Sequence, residues 1–154
     1  MKNLFFFLLL ATTFSLVSCG DDEDDVPVDF LTATVNGDAF EANTVNGFSD
    51  DSGSEELVLI IGRQSSNSNA IGLNILPSIG TGSNAVTAND LSITFSDDID
   101  NGTTAYFTEG TLNVTRNDTT ANVLEGTFEF TATDEDDNTN IFTVTDGEFK
   151  VTYL

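Results

Sequence analysis

Histidine and tryptophan are missing from this chain altogether, and cysteine occurs once. Lysine and arginine together number four, against 26 aspartates and glutamates in 154 residues. Each scarcity removes a chemistry. Without histidine the chain lacks the commonest general base, proton shuttle and transition-metal ligand. A serine nucleophile would need another base, and neither a Gly-x-Ser-x-Gly elbow nor a Ser-x-x-Lys motif supplies one. Paired carboxylates could run glycoside hydrolysis, but with no tryptophan the sugar-stacking surface would fall to phenylalanine or the two tyrosines. The expectation is a protein that is not an enzyme and carries no cofactor. Nucleic acid is excluded too, because binding it draws on a basic patch that releases counterions. Arg63, Arg116 and Lys150 are too scattered to form one.

What is present begins at the N-terminus. Lys2 precedes the apolar core Leu4-Phe5-Phe6-Phe7-Leu8-Leu9-Leu10, and a softer stretch ends in Leu16-Val17-Ser18-Cys19. This is a targeting segment and not a spanning helix, which needs about 20 predominantly apolar residues. The last four residues resemble the lipobox of bacterial lipoproteins. That resemblance implies cleavage before Cys19, a diacylglycerol on its thiol and a fatty acyl chain such as palmitate on its freed amine. One acyl chain holds a protein only marginally, whereas two or more anchor it firmly. Once Cys19 is consumed, the mature chain has no thiol for disulfides, metal sites or nucleophilic attack. The alternative is an ordinary secretory signal cut near Ser18.

Gly20 is followed by Asp21, Asp22, Glu23, Asp24 and Asp25, a self-repelling block that reads as a solvated tether. It resembles the acidic export signal behind the lipidated cysteine of Bacteroidota surface lipoproteins, which implies the outer leaflet of the outer membrane, facing the cell exterior. A plain spacer, with the domain on the periplasmic face, is the alternative. The expected organisation is therefore 1–18 signal peptide, 19–29 lipidated cysteine and acidic tether, and 30–154 a single domain. Removing residues 1–18 takes Lys2 with it and leaves three cations against all 26 acids, a formal charge of −23. Such acidity serves solubility and resistance to aggregation.

In the domain the hydrophobic period is two. Leu112 and Val114 alternate with Thr111, Asn113 and Thr115, and Phe128, Phe130 and Ala132 with Thr127, Glu129 and Thr131. No helical stripe occurs. The expected fold is all-β, a single antiparallel domain built as a β-sandwich or flattened meander barrel of roughly nine to ten strands. Further strands are expected over 57–63, 70–76, 91–95, 104–108, 109–115 and 123–133, with irregular segments over 46–56 and 77–90 where a ligand site could be built. Leu57-Val58-Leu59-Ile60-Ile61 is apolar throughout, which predicts a central strand covered on both faces.

Two turns can be tested by register. With Asn36-Gly37 at the centre of a type I′ turn, Val35 meets Asp38, Ala33 meets Phe40 and Leu31 meets Ala42, so the apolar residues share a face. With Asp146-Gly147 as a turn, Val144 would meet Phe149 and Phe142 would meet Val151. A bulge at Gly147 within one long strand changes parity in the same way. The hairpin is the expected arrangement. The predicted core includes Leu31, Ala33, Val35, Phe40, Phe128, Phe130, Val144 and Phe149.

These patterns together, Thr32-Ala33-Thr34-Val35-Asn36-Gly37, Gly80-Thr81-Gly82, Gly110-Thr111-Leu112-Asn113-Val114-Thr115, Gly126-Thr127-Phe128-Glu129-Phe130 and Gly147-Glu148-Phe149, resemble a family of small Bacteroidota lipoproteins catalogued as a domain of unknown function. The resemblance covers most of residues 30–154 and brings no catalytic residues with it. Family members often carry tryptophan in the second strand, where this chain has Phe40.

Two acidic turns invite a calcium reading. Asp97-Asp98-Ile99-Asp100-Asn101-Gly102 fails the EF-hand order, which needs ligands at fixed positions and a closing bidentate glutamate. Asp134-Glu135-Asp136-Asp137-Asn138 has no ligand order at all. No specific metal site is expected, and Asp97, Asp98, Asp100 and Asn101 are expected to face solvent. Asp118-Thr119-Thr120 resembles the short sequence on which Bacteroidota place O-linked glycans, which would make Thr119 the modified residue. Two function classes follow. One is a surface-displayed binding module for a glycan, peptide or envelope protein, using long loops or an exposed sheet face. The other is a structural or interaction protein of the envelope without a small-molecule ligand. An exposed patch containing Tyr106 or Tyr153, or a concave face of several hundred Å³, would favour the first.

Overall fold

The computed structural model describes residues 28–50, 56–86, 92–97 and 104–154. The signal segment, Cys19, the acidic block and Asp98, Asp100 and Asn101 lie outside the described residues. The regular elements are all strands: β1 (Phe30–Val35), β2 (Asp38–Glu41), β3 (Thr44–Asp50), β4 (Leu57–Arg63), β5 (Ala70–Ile75), β6 (Gly82–Val86), β7 (Ser92–Ser96), β8 (Thr104–Asp118), β9 (Val123–Asp134) and β10 (Ile141–Thr152). They form one antiparallel sheet in the order β2-β1-β10-β9-β8-β7-β5-β4-β3, with β6 beside β8, curled into a half-barrel. The all-β, single-domain expectation holds, with one rolled sheet in place of two stacked ones.

The first hairpin forms in the expected register, Val35 opposite Asp38 and Ala33 opposite Phe40. Asn36 at φ 51° and Gly37 at φ 91° supply the two left-handed residues that such a turn requires. The other turn is corrected. Residues 141–152 are one strand with a bulge, in which Val144 lies opposite Phe130 and Gly147 opposite Phe128, so residues 145–146 face a single residue of β9. The same irregularity registers against β1. A continuous β10 keeps its backbone groups paired on both sides, which a tight hairpin would forfeit on one of them. Parity alone could not distinguish the two, because both gather Phe142, Val144, Phe149 and Val151 in the core, where they are buried. The segments 104–108 and 109–115 likewise fuse into β8 across a bulge between Phe107 and Glu109.

Leu31, Ala33, Val35, Phe40, Phe128, Phe130, Val144 and Phe149 are all buried, as the sequence predicts. Leu57 to Ile61 is not covered on both faces. Val58 and Ile60 are fully buried, but Leu57, Leu59 and Ile61 are only half-buried, because β4 stands next to last in a single sheet with nothing packed outside it among the described residues. The irregular stretches 46–56 and 77–90 are also partly regular, supplying most of β3 and all of β6.

Three glycines explain the Gly-x-Phe-like repeats. Gly110 faces Phe130, Gly126 faces Phe149 and Gly147 faces Phe128 across neighbouring strands. A Cβ on Gly126 would sit 3.0 Å from the Phe149 ring, and one on Gly147 2.5 Å from the Phe128 ring. Each missing side chain makes the space a phenyl ring fills, and the stacked rings of Phe128 and Phe130, with centroids 6.0 Å apart, carry the long-strand wall.

Strand directions divide the barrel into two ends. β1 starts and β10 finishes at one end, where Asp29 Oδ1 accepts from Thr152 N at 2.9 Å. There the roll is drawn together: Gly47 bridges Tyr153 in parallel and Ser49 N donates to Leu154 O at 2.8 Å. The same end is plugged by residues 76–81. Ile79 packs on the core, and Asn117 Nδ2 donates to Pro77 O and Ile79 O, each at 2.9 Å. At the other end lie the turns 36–37 and 65–67 and the 135–140 loop.

Candidate functional site

The sequence candidates fall in different places. The acidic turn after β9 is built around Asp134, a residue only 5% exposed. Its carboxylate accepts from Asn140 Nδ2 at 3.0 Å and from the backbone N–H groups of Asp136 and Asp137 at 2.8 and 3.1 Å. The Asn140 amide, foremost, holds the Asp134 carboxyl below its ordinary value. The Thr139 hydroxyl does the same for Asp137. These carboxylates close a loop, and among the described residues no three acidic groups gather as a metal cage.

Thr119 lies exposed in the β8–β9 turn at the chain-entry end. Asp118 shapes that turn by accepting from Ala121 N at 3.0 Å and Thr120 N at 3.1 Å, while Arg116 Nη2 reaches its other oxygen at 3.0 Å. The Ala121 N–H, then Arg116, lowers the Asp118 pKa. Arg116 also bonds Glu125 at 3.3 Å, and Lys150 approaches Glu125 at 3.7 Å, so two of the three cations of the domain are committed there. Of the tyrosines, Tyr153 is buried, and burial raises its pKa. Tyr106 is 48% exposed on the outer face.

Two concave regions stand out among the described residues. On the outer face of β8, β9 and β10, a shallow trough of about 470 Å³ is walled by Glu109, Thr111, Glu129, Thr131, Thr143 and Thr145. A neighbouring depression of about 420 Å³ shares Thr111 and Glu129 and adds Asp146 and Glu148. The bulges in β8 and β10 flank this surface, and bulges sharpen the local twist of a sheet. Thr111 donates to Glu129 at 3.2 Å and Thr145 to Asp146 at 3.2 Å, which leaves the wall rich in acceptors. Strand alternation in the sequence puts Thr111, Glu129 and Thr131 on the polar faces of separate strands, and gives no sign of Glu109, Thr143 and Thr145 beside them. Only the strand order collects them.

The second region is the barrel mouth at the end away from chain entry, a more enclosed cavity of about 200 Å³. Phe40, Phe95 and Phe142 form its floor, with the rings of Phe95 and Phe142 4.8 Å apart and inclined at 46°. Gln64, Asn67 and Asn69 stand at its rim with Asp38 and Asp97. Sequence reasoning did not single out these amides. Their signal, an amide-rich turn after an apolar strand, is one that any β-turn also gives.

The protein-family models, the curated proteins and the solved structures compared with this chain contain no match to it.

Proposed function

We propose that this protein is an envelope lipoprotein, anchored through lipidated Cys19 and displayed at the outer face of the outer membrane, whose half-barrel is a non-enzymatic binding module. The observation that carries the binding reading is the outer-face trough of about 470 Å³, a concave surface of the size ligand sites use. Its threonines and carboxylates suit a partner rich in hydrogen-bond donors, a glycan or an extended peptide. The anchoring reading is supported by the lipobox resemblance and by the entry of the chain at one end of the barrel, next to Thr152. The half-buried Leu57, Leu59 and Ile61, beside Phe48 at 46% exposure, favour a second reading as an interaction protein of the envelope without a small ligand.

Cys19→Ala tests the anchor: metabolic lipid labelling should vanish and the protein should leave the membrane fraction. Labelling that survives the substitution removes the proposal. Neutralising Asp21 to Asp25 should preserve lipidation and lose protease accessibility on whole cells; unchanged accessibility would make the block a spacer. For the trough, Thr131→Ile with Thr143→Ile should leave the fold intact and abolish capture of whichever glycan the wild type retains on an immobilised glycan panel. Capture that persists in the double variant places binding elsewhere.

A further inference from the structure

We propose that the barrel mouth is a separate subsite for one neutral sugar ring, entered from the end of the domain opposite the anchor. The inference deepens the binding-module reading and rests on it, but it concerns different residues from the trough.

Size comes first. The cavity holds about 200 Å³, below the usual range for drug-sized ligands, so it admits a single ring and excludes a folded peptide or a nucleotide. Its floor is aromatic and recessed, with Phe40, Phe95 and Phe142 each no more than 8% exposed. A pyranose offers such a floor one apolar C–H face while its hydroxyls point sideways. The rim answers those hydroxyls. Gln64, Asn67 and Asn69 each carry a carboxamide, which both donates and accepts, as a hydroxyl does.

Their present bonding leaves that capacity open. Gln64 uses its backbone N–H, donating to Asn69 O at 2.8 Å, and Asn67 Oδ1 accepts from Asn69 N at 3.2 Å. The Gln64 and Asn69 carboxamides and Asn67 Nδ2 have no hydrogen-bond partner among the described residues. Ser68, between the two asparagines, holds φ 58°, a left-handed backbone that is uncommon for a residue with a side chain.

Charge then narrows the class. Among the described residues no lysine or arginine lines the mouth, so a uronate, a sialic acid or a phosphorylated sugar would be desolvated without a counter-charge. A cationic ligand would leave the amide donors idle, and Asp97 is already engaged within the protein. A neutral hexose or N-acetylhexosamine satisfies floor and rim together. Geometry agrees with access: turns 36–37 and 65–67 frame the mouth, while the chain enters by Asp29 at the far end, roughly 35 Å away along a twelve-residue strand. A ring carried at the tip of a chain could enter without passing the membrane side.

The test is saturation-transfer NMR on the full-length lipoprotein in a detergent without a sugar headgroup. The probes are the methyl glycosides of mannose, glucose and galactose, N-acetylglucosamine, glucuronate and spermidine. At least one neutral glycoside should show transfer, and glucuronate none. Gln64→Ala with Asn69→Ala should weaken binding at least about tenfold, whereas Thr131→Ile with Thr143→Ile should leave it unchanged. Transfer lost in the trough variant and kept in the mouth variant overturns the subsite while sparing the binding-module reading. Transfer only to spermidine or glucuronate overturns the neutral-sugar assignment. No transfer to any neutral glycoside at about 20 mM, well above a millimolar dissociation constant, overturns the subsite outright. Whether larger glycans are still captured by the wild type then decides separately on the trough.

Discussion

The two ends of this half-barrel handle the same problem, exposed core at the mouth of a rolled sheet, in opposite ways. At the entry end the partly buried Ile79 packs against the core, Asn117 pins its segment by two backbone carbonyls, and the C-terminal residues stitch β3 to β10. At the far end the rings of Phe40, Phe95 and Phe142 close the core from within, and a cavity is left above them. Amides serve both ends. Asn117 spends both donor hydrogens on the fold, whereas Gln64 and Asn69 spend neither carboxamide on it among the described residues. Polar side chains at the mouth of a sheet can therefore be structural at one end and free for a partner at the other, and their bonding separates the two roles where residue type cannot.

The wall joining the ends gives the largest expected effect. Phe128→Ala removes a ring packed between Phe130 and Phe149 and should cost about 3 to 5 kcal/mol by urea unfolding. A near-neutral result would mean the ends do not depend on a shared core. Next, Asn117→Leu should cost about 1 to 3 kcal/mol, because two carbonyls lose their donor. Its Oδ1 is buried with no partner among the described residues, so Asn117→Asp, which offers oxygen to the same carbonyls, should be worse. If hydrogen exchange rises equally at both ends in the leucine variant, the plug is not a local device.

Acidity should act through the loops. The Asp134 carboxyl titrates below its ordinary value of 3.8 in the folded chain, so its contribution is complete above about pH 4 and disappears as pH falls through the lowered value. Asp118 and Asp137 follow the same sign. Urea midpoints for Asp134→Asn should therefore fall less than those of the wild type between about pH 6 and pH 3. Parallel curves would show that the Asn140 contact does not bias folding. The smallest effect belongs to the open rim: Gln64→Ala and Asn69→Ala should each stay within about 0.5 kcal/mol of wild type. A loss like that of Asn117→Leu would erase the contrast between the two ends.

Much of the wall was legible. Strand alternation marks Phe128, Phe130 and Leu112 as inward, and Asn36-Gly37 dictates its own register. The breaks in alternation were harder to read. At Thr108 and at residues 145–146 one extra residue shifts parity, and a shift reads equally as a turn or as a bulge until the neighbouring strands are known. The apolar run from Leu57 to Ile61 misled for a related reason, since sequence does not tell whether a strand's outer face is covered. The trough and the mouth depend on which strands become neighbours, an order set by pairings as distant as Phe30 with Lys150. Asn117 left no trace: alternation from Leu112 and Val114 runs on to Arg116, and only the bulge between Val114 and Arg116 brings Asn117 round to the inner side.

The bond between Asp29 and Thr152 places the two ends of the described sheet side by side, and this neighbourhood makes the path from Val28 to Leu154 nearly circular. A short linker from Leu154 to Val28 would close it without crossing the sheet, and cutting the 65–67 turn would create new termini at the opposite pole. Such a permutant keeps every strand pairing while reversing which pole a fused cargo occupies. The orientation of the domain relative to whatever it is tethered to is therefore a property of where the chain is opened, and not of the fold itself.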